Sequence, residues 1–176
     1  MLSSTSLTTT HRYKKVIGHV PQDDVLLYEL TVRENILHSA RTRLPYNWSK
    51  KLIEPFVDAV ISCLGLTEIK HSVVGSPAKP TISGGQRKRV SIGMEIAAAP
   101  MAISLDEPTS GLDASSATSV MKLLHALTRH GMTIVVIIHQ PRPEIFATID
   151  SLLLLSGGET VYVCYLRFIL SQPARH

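Results

Sequence analysis

Two groups of residues have the types and spacing to do chemistry. The first is an apolar run, Met101 to Leu105, that ends abruptly in two acids, Asp106 and Glu107. A turn residue, Pro108, follows, and then Ser110-Gly111-Leu112-Asp113. The second is a short polar turn, Ser83-Gly84-Gly85-Gln86, placed just before a helical stretch from Arg87 to Ala99, in which Val90, Ile92, Met94 and Ile96 supply apolar contacts. A helix opened by Ser83 and a glycine pair presents unpaired backbone N–H groups. Those donors and the helix dipole both favour an anion such as phosphate, and glycine lets the anion approach closely. An acid delivered at the carboxyl end of an apolar strand can hold Mg²⁺ on the phosphates of a nucleoside triphosphate. A second acid beside it can orient or deprotonate a water. Taken singly, each piece also reads as an ordinary turn or a solvated loop. All of them together, in this order and spacing, favour a nucleotide site.

Ile82-Ser83-Gly84-Gly85-Gln86 resembles the signature motif of ABC-type ATPases, and Leu105 to Asp113 resembles their Walker B strand and D-loop. The continuation Gln86-Arg87-Lys88-Arg89-Val90 is similar to the G subfamily, the white and pleiotropic-drug-resistance type transporters, and the tract Gly75 to Gln86 resembles its fungal members. The resemblance runs from about Tyr13 to Val163. It implies an α/β fold: a partial P-loop NTPase of the ABC ATPase kind, a mostly parallel sheet with helices on both faces and an added helical subdomain. It implies ATP and Mg²⁺ as cofactors. Asp106 would hold the metal with Gln22, the match to the family's Q-loop glutamine. Glu107 would activate water, and His139, the match to the switch histidine, would contact the γ-phosphate and keep the water and Glu107 in geometry. Ser83, Gly84, Gly85, Gln86 and Asp113 would contact ATP bound to a second ABC ATPase domain in a head-to-tail dimer. A transmembrane domain, export of a hydrophobic or lipid-like substrate and a place at the cytoplasmic face of a membrane are implied as well.

The elements that must position these residues can be read in chain order. Val16 to Val20 is a short strand, broken by Pro21-Gln22-Asp23-Asp24. Thr31 and Glu34 form a capping box for a helix that runs to about Arg43 and stops at Leu44-Pro45. A second helix opens near Ser49 and runs through Leu64, tolerating or kinking at Pro55, and Gly65 stops it. Leu26, Leu27 and Tyr28 are candidates for docking a coupling helix of the transmembrane partner. After Asp113 a helix runs over about 114–130, capped by Gly131. Thr133 to Ile138 is continuous rather than alternating, which predicts a fully buried parallel strand. It delivers His139 to the end of the sheet where ligands of open α/β folds bind. A helix over 143–149, a strand over 151–155, a turn at Gly157-Gly158 and a strand over 160–163 complete the reading. The other histidines, His11, His19, His38, His71, His125, His130 and His176, read as surface or packing residues.

Composition narrows the class. A chain of 176 residues with 44% hydrophobic and 18% charged residues supports one core. No run reaches the about 18 to 20 apolar residues that span a bilayer. The net charge of +4 permits but does not demand an anionic lipid or nucleic-acid partner, only 5% of residues are aromatic, which argues against a single-stranded nucleic-acid stacking platform, and no nucleic-acid partner is expected. The basic cluster Arg87-Lys88-Arg89 reads as a solvated face or a partner contact. Cys63 and Cys164 have neither metal-ligand nor disulfide spacing, which fits a reduced, cytosolic setting. Met1 to Thr10 is Ser/Thr-rich and unlike a secretory signal.

No Gly-x-x-x-x-Gly-Lys-Ser/Thr run occurs in the chain, although an ATPase of this type needs one to cradle the phosphates. The expected organisation is therefore a flexible tail over 1–12, an N-terminally truncated ATPase domain over 13–163 with a helical subdomain over 25–80, and an atypical tail over 164–176. The strand carrying the absent run is expected beside those ending at Asp106 and His139, leaving an apolar edge unpaired. The leading reading is the ATP-binding and ATP-hydrolysing domain of a G-subfamily transporter. A second is a non-catalytic dimerisation or regulatory module that lends its signature motif to an intact partner. A third, a soluble ABC ATPase of translation or DNA repair, is disfavoured by the basic tract after Gln86 and by His139-Gln140-Pro141.

Overall fold

Local hydrogen bonding sets most of the helix ends in the computed structural model, which describes residues 17–166. The expected tail over 1–12 and the residues after 166 lie outside the described range. The chain divides into two units, Met1–His139 and Gln140–His176.

In the first unit, strand β1 spans Ile17–Val20 and leads through the 21–24 turn to helix α1, Val32–Arg43. The Thr31 hydroxyl accepts from the Glu34 amide, and the Glu34 carboxylate accepts from the Thr31 amide, so the expected capping box is present. Two further N–H groups of the first turn, on Val32 and Arg33, donate to the Ser72 and Lys70 carbonyls. Helix α2 spans Lys50–Cys63 and contains Pro55 without interruption. Its end is a Schellman motif: Gly65 N–H donates to Ser62, and Leu66 N–H donates to Ile61. Gly65 sits at φ 65°, which a side chain would resist. A 3₁₀ turn over Thr67–Ile69 and a two-residue ladder, β2 (Gly75–Ser76) with β3 (Lys79–Pro80), lead to helix α3, Gly84–Ile96.

Strand β4, Ala102–Asp106, is the centre of a three-stranded parallel sheet ordered β1-β4-β5, with β5 at Thr133–Ile137. Helix α4, Ala114–Arg129, connects β4 to β5. Helix α3 packs on β1, and α4 packs on β5, giving the flanked parallel layer that the strand–helix alternation predicts. The core is Val20, Ile103 and Leu105 from the sheet with Ile36, Leu64, Val90, Ile92, Val120 and Leu124 from the helices, all nearly inaccessible to solvent.

Two expectations about the sheet are corrected. Strand β5 is not fully buried. It is an edge strand, with Val135 and Ile137 more than half exposed, because it pairs with β4 on one side only among the described residues. And β4, which ends at Asp106, has partners on both sides, so no vacancy lies beside it. The outer edges of β1 and β5 lack a partner among the described residues.

In the second unit, helix α5 spans Pro143–Phe146, shorter than the expected 143–149. Thr148 and Ile149 continue it only as tight turns, with N–H groups three residues from their acceptors. Strands β6 (Ser151–Ser156) and β7 (Glu159–Tyr165) form a hairpin turned by Gly157-Gly158, and β7 continues through Cys164 to Tyr165. No helix among the described residues is long and apolar enough to cross a membrane.

Helix α3 is packed on several sides, and Gly93 is its closest approach. A Cβ there would stand 2.7 Å from Leu64 Cδ1 and 3.0 Å from Ile36 Cδ1, both deeply buried. Gly93→Val is expected to destabilise the chain by about 1–3 kcal/mol through overpacking. A lowered urea midpoint at unchanged slope is the result to look for, and an unchanged midpoint refutes the tight fit.

Candidate nucleotide site

The parallel register gathers the predicted residues at one edge. Val20 pairs with Leu105, and Asp106 pairs with Ile137. Gln22, Asp106, Glu107 and His139 therefore all follow the carboxyl ends of adjacent strands, where open α/β sheets bind ligands. Asp106 and Glu107 are half-buried, and Gln22 and His139 are exposed. Among the described residues, neither carboxylate is met by a cation, and His139 has no hydrogen-bond partner. Half-buried acids of that kind suit a hard cation. Among the described residues no cluster of three or more His, Cys, Asp or Glu stands ready for a metal. A Mg²⁺ held largely by phosphate oxygens and water asks for only one or two protein ligands, and Asp106 and Gln22 fit that demand.

Glu107 has a left-handed backbone, φ 41°, unusual for a residue with a side chain. Its N–H donates to the Ile137 carbonyl of β5 at 2.9 Å, and its carbonyl accepts from Ser110. The chain thus turns sharply off the end of β4 while staying pinned to β5. Backbone strain of this sort costs about 1–3 kcal/mol and persists where surrounding structure imposes it. Gln22 reaches the same turn: its Nε2 lies 3.5 Å from Ser110 Oγ. Ser110 is a contact the sequence did not single out.

The signature stretch begins a helix directly. Gly84, Gly85 and Gln86 are the first residues of α3 and not a flexible turn before it, and the helix ends at Ile96, short of Ala99. Ser83 and Gln86 form a reciprocal capping box: Gln86 N–H donates to Ser83 Oγ, and Ser83 N–H donates to Gln86 Oε1. Ser-x-x-Gln was visible in the sequence as that signal. The two glycines also have an intramolecular reason. A Cβ on Gly84 would meet Leu112 at 3.1 Å, and one on Gly85 would meet Ser116 at 3.0 Å. They let the start of α4 lie against the start of α3. Asp113 caps α4 by accepting from the Ser116 amide at 3.0 Å, so both helix starts stand side by side.

Lys88 overturns the expectation of a solvated basic face. It is 3% exposed and pairs with Asp24 at 2.7 Å, while its Nζ also donates to the carbonyls of Gln22 and Pro21. Arg89 is half-buried and donates to Ser119 on α4. The missed signal was periodicity: Gly85, Lys88 and Ile92 share one helical face, and that face is the buried one. Met94 and Ile96 are only half-buried, whereas Val90 and Ile92 are core. After the glutamine turn, Leu26 is buried and so is not free to dock a partner, while Leu27 is exposed and Tyr28 half-buried.

Comparison with known proteins gives consistent results. The family model described as "ABC transporter" matches residues 2–110. The chain is 50% identical over 149 residues to the ABC-type transporter claG of Penicillium crustosum, covering 85% of this chain and 20% of that protein. It is 49% identical over 145 residues to ABC transporter G family member 13 of Arabidopsis thaliana, covering 82% and 21%. It is 45% identical over 150 residues to the broad substrate specificity ATP-binding cassette transporter ABCG2 of Mus musculus, covering 85% and 23%. The chain spans about a fifth of the length of these relatives.

The Ser116 hydroxyl and amide hold the Asp113 carboxyl below the usual carboxylate range. A depressed acid contributes its cap at neutral pH and loses it as pH falls through the lowered folded value. In a pH titration followed by NMR, the Ser116 amide proton should move with a midpoint below about 3.9. Asp113→Asn, an equally good cap, should flatten that curve. A midpoint at or above the ordinary value would refute the assignment.

Proposed function

The chain belongs to the ABC transporter family, in its G subfamily, and on that premise we propose that it binds ATP with Mg²⁺ and hydrolyses it to drive export of a hydrophobic or lipid-like substrate. The observation that carries this reading is the parallel register that puts Gln22, Asp106, Glu107 and His139 at one sheet edge, with both carboxylates free of any described cation. Bound Mg²⁺ would supply charge neutralisation at the phosphates. Asp106, at the end of the central strand, holds the metal, assisted by the Gln22 amide. Glu107 accepts the proton of the attacking water or orients that water. His139 donates toward the terminal phosphate and keeps the water in line. No Gly-x-x-x-x-Gly-Lys-Ser/Thr run occurs in these 176 residues, so on this reading other backbone donors of the chain cradle the phosphates.

The start of α3 has a separate task. Ser83, Gly84, Gly85 and Gln86, with Asp113 beside them, face a nucleotide held by a second ABC ATPase domain in a head-to-tail dimer. The domain spans 13–163, its helical subdomain over 25–80 meets a transmembrane domain, and the assembly works at the cytoplasmic face of a membrane. One observation favours a second reading: without a Gly-x-x-x-x-Gly-Lys-Ser/Thr run, the chain as it stands would be a non-catalytic module that lends its signature helix to an intact partner.

Calorimetric titration of Mg-ATP into the purified chain separates the two. The ATPase reading expects saturable binding and turnover, with Glu107→Gln retaining binding while turnover drops about 10²- to 10⁴-fold. A folded chain that binds no Mg-ATP removes the catalytic reading for these residues and supports the module.

A further inference from the structure

Lys88 is the one charged side chain buried from solvent among the described residues, and nucleotide chemistry does not use it. Its Nζ lies 2.7 Å from Asp24 Oδ1, 2.9 Å from the Gln22 carbonyl and 3.4 Å from the Pro21 carbonyl. All three oxygens sit in one short stretch, Pro21 to Asp24: the two carbonyls accept hydrogen bonds, and Asp24 meets the ammonium as an ion pair without a hydrogen bond. The far end of the same loop is fixed from another helix. The buried Asn35 of α1 accepts from Leu27 N–H at 2.9 Å and donates to the Leu27 and Thr31 carbonyls, both at 3.0 Å. Between the two clamps, Asp23 and Val25 are exposed.

We propose that Lys88 is a positioning residue that fastens the glutamine loop to α3, so that the Gln22 amide and the Ser83 helix start move as one body. The proposal rests on the reading of Gln22 as a group acting at the nucleotide. An ammonium shut away from water needs its acceptors. The loop cannot swing off α3 without stranding that charge, so a displacement of Gln22 passes to α3. Lys88 itself touches neither phosphate nor metal. It acts through the Gln22 carbonyl, and the loop backbone sets where the Gln22 side chain meets Ser110.

Removing one charge of a buried pair destabilises strongly, whereas replacing both with apolar groups is often tolerated. The informative variant is therefore the double substitution Lys88→Met with Asp24→Leu, in the full chain, with its thermal midpoint checked first. Lys88→Arg, which keeps both charges but cannot place a compact ammonium among the three loop oxygens, serves if the double variant does not fold. Backbone ¹⁵N order parameters at 22–25 are expected to fall from about 0.85 to below about 0.6, while Ile103 and Leu105 stay rigid. In a chain that turns over Mg-ATP, kcat is expected to drop about tenfold to a hundredfold with KM little changed, since a misplaced group costs rate more than affinity. A folded variant with wild-type order parameters at 22–25 overturns the proposal. So does a loosened loop with unchanged kcat. A wild-type chain that binds no Mg-ATP overturns the nucleotide reading instead, and the order parameters then decide the fastening alone.

Discussion

A cation with almost no access to water sits at the middle of the first unit, and much of the surrounding architecture answers its demand for acceptors. Lys88 draws Asp24 and two backbone carbonyls inward from the loop after β1. Seven residues on, Glu95 makes the complementary connections. It accepts both Arg43 guanidinium donors, at 2.5 and 2.7 Å, and the His19 backbone N–H. Ser39 of α1 donates to the Met94 carbonyl at 2.6 Å. One helix is thus tied to the first strand, to the loop that follows it and to α1. These polar ties supplement the apolar contacts of Val90 and Ile92 and fix register, which apolar packing by itself leaves looser. The exposed pair Arg41–Glu54 adds little by comparison, whereas the half-buried Arg33 grips Asp58 with two donors and ties α1 to α2.

The same helix has its other end at the candidate site. Its first turn lies against the first turn of α4, where a Cβ on Gly84 or Gly85 would press on Leu112 or Ser116. Two capped helix starts side by side, Ser83 for one and Asp113 for the other, concentrate backbone donors in a small region. The sheet edge that carries Asp106 and Glu107 is connected to α4 through the Pro108–Asp113 turn. The elements that carry the metal, water and signature residues in the proposed mechanism therefore share one set of packing constraints.

Exposure is concentrated where strands lack neighbours. Strand β5 shows Val135 and Ile137, and the β6–β7 hairpin of the second unit shows Leu153, Leu154, Leu155, Val161, Tyr162 and Val163. An isolated hairpin is marginal in water, and an apolar edge invites further strands. The described residues form a sheet of three strands and separate two-stranded ladders, consistent with a chain that spans about a fifth of its relatives' length.

Much of the fold was legible in the sequence because it rests on signals only a few residues apart. Thr31 with Glu34, Leu44-Pro45, the Gly65 stop and the apolar run into Asp106 each depend on hydrogen bonds or backbone angles within one turn of chain, and each stands as read. The gathering of Gln22, Asp106, Glu107 and His139 at strand ends followed from the strand–helix alternation joined to the family resemblance, whereas the order β1-β4-β5 came only with the structure. What tertiary structure decided was burial. Thr133 to Ile137 has the composition of an inner strand, but its exposure depends on who pairs with its far edge. Lys88 sits in a basic run that reads as solvated, but its partner Asp24 lies 64 positions away in the chain (88 − 24), beyond the reach of any local pattern. Gly84 and Gly85 likewise owe their close quarters to Leu112 and Ser116. Burial and pairing are properties of the opposing surface, and a sequence read along its own length does not contain that surface until the chain has folded back on itself.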